Sequence, residues 1–92
     1  MLLSKNEIED ELKNLKGWNV ENNSLIKEFI CKDFSDAISL QVKIGFIAEK
    51  MDHHPDFFLH SWNKIKVIIT THSEGGITNK DIELVKQIEK LF

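Results

Sequence analysis

The sequence has no arginine: all 12 of its basic residues are lysine, set against 15 acidic ones for a net charge of −3. Bidentate grip on a phosphate or a guanine edge relies on the guanidinium fork. The lysines are also scattered from Lys5 to Lys90 without a cluster, so direct nucleic-acid binding is not expected. The single cysteine, Cys31, cannot close an internal disulfide or build a thiolate zinc site. A reducing, cytoplasmic setting is the resulting expectation. The longest apolar run, Ile44 to Ala48, lies between Lys43 and Glu49, far short of the ~20 residues of a membrane span. The opening Met1-Leu2-Leu3 turns polar at Ser4 and does not read as a signal peptide. No Gly-x-Gly-x-x-Gly, phosphate loop or Gly-x-Ser-x-Gly elbow occurs, which excludes the usual nucleotide sites and the serine elbow.

What is present fits one domain over residues 1–92, with 41% hydrophobic and 29% charged residues, the balance of a globular chain. Ser4-Lys5-Asn6-Glu7 is a capping box with Leu3 and Ile8 as its staple. Ile8, Leu12 and Leu15 follow at helical spacing, so a first helix is predicted from Ser4 to Leu15, stopped by Gly17. Trp18-Asn19-Val20 and Leu25 to Lys32 read as a hairpin around Glu21-Asn22-Asn23-Ser24. From Ser35 to Met51 the period becomes helical, with Ala37, Leu40, Ile44, Ile47 and Met51 on one stripe. Pro55 ends that helix within Asp52-His53-His54. Phe57 to His60 and Ile65 to Thr70 read as strands around Ser61-Trp62-Asn63-Lys64. Thr78-Asn79-Lys80-Asp81 opens a last helix whose buried side is Ile82, Val85, Ile88 and Leu91.

The order α-β-β-α-β-β-α predicts an α+β fold: a four-stranded antiparallel sheet of two hairpins with helices packed on one face. Ile26 and Ile30 leave apolar groups on the opposite sheet face. A second copy is the expected cover, giving a homo-oligomer.

Three of the four histidines lie between residues 53 and 60, and the fourth is His72. Asp52-His53-His54-Pro55 places two imidazoles on a rigid elbow. Thr70-Thr71-His72, ending the neighbouring strand, and Asp81, opening the next helix, can approach the same rim. Imidazole suits proton movement near neutrality, with an ordinary pKa of about 6.5, and a carboxylate beside it orients the ring. Each feature also has a plainer explanation. The histidine pair can be surface decoration, Pro55 a simple helix stop, and Asp81 a carboxylate favoured at any helix N-terminus. His60 sits mid-strand without a partner motif and is given no role. A metal site is not expected, because adjacent His53 and His54 cannot easily meet one ion and no cysteine lies near. Cys31 has no histidine close in sequence, so it is not a candidate nucleophile.

The run Glu49-Lys50-Met51-Asp52-His53-His54-Pro55, followed by Trp62-Asn63-Lys64-Ile65, Thr71-His72, Gly76-Ile77-Thr78 and Asp81, resembles the pterin-4a-carbinolamine dehydratases. Leu15-Lys16-Gly17-Trp18 and Phe29 to Phe34 also suit that family, so the likeness covers nearly the whole chain. It implies the same four-stranded α+β fold. It implies dehydration of 4a-hydroxytetrahydropterin to quinonoid dihydropterin, the recycling of tetrahydrobiopterin for aromatic amino-acid hydroxylases. It implies catalytic His53, His54, His72 and Asp81, and substrate-contacting segments Asp52-His53-His54 and Thr70-Thr71-His72. No cofactor is implied beyond the pterin substrate. Phe57 stands where many members of the family carry tryptophan or another residue, and Trp62 replaces the more usual tyrosine before Asn63. Both keep an aromatic or apolar wall, so they bear on pterin preference rather than on the reaction. His53 and His72 are the expected proton-transfer pair, with His54 binding the pterin and Asp81 orienting. Glu49 is a candidate for the donor edge of the pterin or a plain helix-surface charge. The alternative reading is a non-catalytic pterin-binding or coactivator-like interaction module. The expected assembly is a homodimer or homotetramer, working alongside an aromatic amino-acid hydroxylase.

Overall fold

A computed structural model describes all 92 residues. The elements are α1 (Lys5–Leu12), β1 (Asn19–Glu21), β2 (Ser24–Ile30), α2 (Phe34–Met51), β3 (Asp56–His60), β4 (Lys64–Ile69), a 3₁₀ turn (His72–Glu74) and α3 (Asn79–Glu89). The strands form one antiparallel sheet in the order β1-β2-β4-β3. This is the predicted α+β architecture. No helix is long and apolar enough to cross a membrane.

The sheet is read off the alternation. Leu25 pairs with Ile69, and Phe29 and Leu59 both pair with Ile65, so one face carries large apolar side chains at every second residue. α2 covers that face with Ala37, Leu40, Ile44 and Ala48, and α3 with Ile82, Leu84, Val85 and Ile88. Ile44 is fully buried at the centre of this core. Ile44→Ala is expected to cost about 2–5 kcal/mol, read as a lower urea midpoint with an unchanged slope.

Local chemistry sets the boundaries. Asn22 and Asn23 both take positive φ, the pattern of a tight hairpin turn whose twist matches its strands. Asp33 caps α2 by accepting from the Asp36 N–H at 2.8 Å. That hydrogen bond, helped by the Ser35 hydroxyl and the Lys32 charge, outweighs desolvation and holds the Asp33 carboxyl below the ordinary carboxylate range. The cap's contribution is therefore present above that range and lost as pH falls through the depressed value.

Two expectations are corrected. α1 stops at Leu12 and the chain turns over Lys13–Leu15, because Leu15 leaves the helix to join the core. α3 ends at Glu89, so Leu91 is exposed and Leu84 takes a place in the core instead. The outer face of the sheet carries Ile26 and Ile30, as the alternation predicts, together with Ile68, Glu28, Lys64 and Lys66.

Candidate active site

Three chain ends meet at one corner of the molecule. The first is the C-terminus of α2. Asp52 takes the left-handed conformation (φ 53°) and its N–H returns to the Ala48 and Glu49 carbonyls, a helix stop that short polar side chains tolerate. The His53 N–H also bonds the Ala48 carbonyl. Pro55 then commits the chain to β3. The second is the end of β4, where Thr71 bridges Gly76 and the 3₁₀ turn closes on Gly75 at φ 73°. The third is the start of α3, capped by Thr78 in a reciprocal box with Asp81.

Asp81 is completely buried, and its two oxygens divide the work. Oδ1 accepts from His53 Nε2 at 2.6 Å. Oδ2 accepts from the Thr78 N–H at 2.7 Å and the Thr71 hydroxyl at 2.8 Å. With the Thr71 proton committed to Asp81, the Thr78 hydroxyl donates to Thr71 Oγ1 at 2.8 Å and accepts from the Lys80 N–H at 3.2 Å. Every donor around the carboxylate thus has an acceptor, the condition for keeping such a group buried. The carboxylate fixes the proton of neutral His53 on Nε2 and leaves Nδ1, which has no protein partner, free to accept.

A cavity of about 280 Å³ opens at this corner, lined by Asp52, His53, His54, Thr70, Thr71, His72, Ser73 and Lys80. The structure therefore brings together all six residues read from the sequence as substrate-contacting. Asp81 lies behind the lining. His72 is exposed and its ring has no protein partner. His54 pairs with Glu49 at 2.8 Å, with both side chains largely exposed. Glu49 is accordingly a partner of His54 as well as a helix-surface charge. The Thr70 hydroxyl is turned to the Asn23 carbonyl at 2.8 Å, tying this strand end to the β1–β2 turn. Ser73 and Lys80 were not anticipated. Lys80 is one residue from Asp81 and its position in a capping box carries no signal for a cavity.

The aromatic wall is corrected. Trp62 sits in the exposed turn at the opposite end of the β3–β4 hairpin, and Phe57 packs against the core. Neither lines this cavity. His60 is likewise remote, bonded to Glu28 and stacked on Phe58. The Cys31 thiol is pushed above its ordinary value by burial first, and then by the charges of Asp36 and Asp33. It stays a protonated thiol and a poor nucleophile. A larger hollow of about 590 Å³ runs beside Leu3, Ile8, Val20 and Ile77, but no histidine lines it. No group of side chains in the structure has the arrangement of a metal site.

The sequence profile of the family described as "Pterin 4 alpha carbinolamine dehydratase" matches residues 1–91. The chain belongs to that family. A Sulfolobus acidocaldarius protein provisionally named pterin-4-alpha-carbinolamine dehydratase is 45% identical over 91 residues, spanning 99% of both chains. A Sulfurisphaera tokodaii protein of the same name is 43% identical, over 98% of this chain and 96% of its own. A crystal structure from Brucella melitensis, described as a transcriptional coactivator/pterin dehydratase, superposes with a TM-score of 0.92 at 32% identity. It covers 99% of this chain and 98% of that one. For a pterin dehydratase relative, the corner just described is the one place where several imidazoles and a buried carboxylate converge on a cavity.

Proposed function

We propose that this chain is a 4a-hydroxytetrahydrobiopterin dehydratase, a hydro-lyase that expels water from 4a-hydroxytetrahydropterin to give quinonoid dihydropterin. The observation carrying this reading is the His53–Asp81 pair at 2.6 Å behind a histidine-lined cavity. The reaction breaks the bond from C4a to its hydroxyl, pushed by the lone pair of the neighbouring ring nitrogen. One proton must reach the departing oxygen and one must leave that nitrogen. No electron is transferred, so positioned proton donors and acceptors suffice.

His53 and His72 act as the proton-transfer pair, each worth about 10²–10⁴ in rate. His53 offers an unpartnered Nδ1 on a ring held by Asp81. His72 has no internal partner to exchange before it meets substrate. His54, steadied by Glu49, binds and orients the pterin. Asp52, Thr70 and Thr71 complete the binding wall, with Thr71 acting chiefly on Asp81. Physiologically, the reading places the chain in a reducing cytoplasm, alongside an aromatic amino-acid hydroxylase that generates the substrate. Self-association as a homodimer or homotetramer belongs to the same proposal.

The test is turnover on freshly generated 4a-hydroxytetrahydropterin, followed by the absorbance of the quinonoid product. Acceleration over the spontaneous reaction is the expected result. A rate equal to the spontaneous one would overturn the assignment. A second reading, an interaction module, is favoured by the coactivator description of the Brucella relative. It predicts pterin binding without turnover, or neither.

A further inference from the structure

Every side chain lining the histidine corner is polar, and two of them carry a fixed charge, Asp52 and Lys80. The proton-transfer roles fall to histidines and leave Lys80 without one. We propose that Lys80 selects the substrate, and that the preferred 4a-hydroxytetrahydropterin is one whose side chain carries an anion, a carboxylate or a phosphate ester. This inference rests on the reading of the cavity as the pterin site and adds the class of substrate to it.

The fold gives the Lys80 side chain no internal reason. Its backbone N–H serves the cap of α3, donating to Thr78 Oγ1 at 3.2 Å, a bond that any residue except proline supplies. Its ammonium makes no ion pair within the protein, with Asp52 or with any other carboxylate. A cation in the first turn of α3 also opposes the positive end of the helix. Of the 12 lysines, this is the one that lines the cavity.

The reaction supplies an argument against a bare cation here. When the hydroxyl leaves C4a before the ring nitrogen has lost its proton, the pterin turns positive. An ammonium at the rim raises the energy of that state, and it disfavours the protonated form of the neighbouring imidazoles. An anion delivered by the substrate cancels both effects.

The pterin nucleus brings no such anion. Its amino and amide edge donates hydrogen bonds and matches the Asp52 carboxylate. The cavity, about 280 Å³, lies at the foot of the range that encloses a drug-sized ligand, about 300–1,000 Å³. It takes the bicyclic nucleus and leaves the C6 side chain at the rim, where Lys80 is exposed. The dihydroxypropyl chain of biopterin is neutral. The biopterin carbinolamine is therefore turned over with the ammonium unpaired, and a chain bearing an anion is turned over better.

The test compares kcat/KM for freshly generated 4a-hydroxytetrahydropterins matched except at C6: hydroxymethyl, its phosphate ester and its O-carboxymethyl ether. The anionic chains should be favoured about tenfold, between the worth of an exposed ion pair and that of a charge-assisted hydrogen bond. The preference should shrink as salt is added, and the anion that gains more identifies the group. Lys80→Gln should bring the ratio near one, chiefly by raising KM for the anionic chains. Lys80→Arg should keep the preference and Lys80→Glu should invert it. Lys80→Gln should also raise kcat with the hydroxymethyl compound, since the opposing charge is gone; a merely structural lysine would give no such gain. Lys90→Gln, just beyond the other end of α3, should leave the ratio as it is in the wild type. No preference in the wild type, or one that survives Lys80→Gln, would overturn the inference. Turnover of the hydroxymethyl compound without any preference defeats this inference and leaves the dehydratase reading standing. If none of the three turns over, the dehydratase reading fails, and fluorescence titration with the stable 7,8-dihydropterins bearing the same chains still reads the preference for an anion.

Discussion

His53→Ala and His72→Ala are each expected to lower kcat by about 10²–10⁴-fold, the usual worth of a positioned acid or base, yet to differ in what they do to the fold. His53 is mostly buried and its Nε2 serves Asp81. Removing it leaves a fully buried carboxylate oxygen without its donor, which costs about 1–3 kcal/mol. The His72 ring is exposed on the 3₁₀ turn and has no partner within the protein, so its loss should leave the thermal midpoint unchanged. Measuring kcat and the unfolding midpoint for both variants checks the two halves together. Unchanged turnover in either variant removes that histidine from the chemistry. Equal destabilisation by both would contradict the division between an internally held ring and a free one.

That division was only partly legible in the sequence, and the boundary follows the range of the interactions. The helix stop at Asp52–Pro55 and the capping box at Thr78–Asp81 are local. Their signals lie within four residues, so both were readable along with the arrival of His53, His72 and Asp81 at one rim. The Thr71–Asp81–Thr78 relay was not readable, because each hydroxyl had a local explanation and their convergence depends on how β4 meets α3. Glu49 was ambiguous for a related reason. One helical turn before His53, it bonds His54 only because the left-handed Asp52 redirects the chain. Trp62 shows the opposite error. Its place beside Asn63 suggested a wall for the pterin, but the wall would need it at the other end of β3.

α2 shows the limit of periodicity itself. Ala37, Leu40, Ile44 and Ala48 line the buried side while Phe34, Ile38, Val42 and Phe46 line the exposed one. Both sets satisfy helical spacing. A pattern search finds the helix with either set; the stripe of Ala37, Leu40, Ile44, Ile47 and Met51 read from the sequence is the one that meets the core. The packing of α3 against α2 decides between the two.

Asp81→Asn and Asp81→Ala form the sharpest test of the buried carboxylate. Alanine leaves the Thr78 N–H, the Thr71 hydroxyl and His53 Nε2 without their common acceptor. At about 1–3 kcal/mol for each stranded group, this threatens a domain whose whole stability is of order 5–15 kcal/mol. Asparagine is nearly the same shape, but it has one acceptor oxygen where the carboxylate has two. Facing Thr78 and Thr71, that oxygen preserves the start of α3 and turns the amide NH₂ toward His53. Neutral His53 must then accept at Nε2 and carry its proton on Nδ1, which removes the free acceptor from the cavity. Asp81→Asn is therefore expected to fold and melt near the wild type while losing about 10²–10⁴ in kcat, since the wrong tautomer under a catalytic histidine can cost about 10⁴-fold. Nitrogen chemical shifts of the His53 ring should report the proton moved from Nε2 to Nδ1. A folded Asp81→Asn enzyme with full turnover would show that His53 does not work through its Nδ1, and the carboxylate would then hold only the helix.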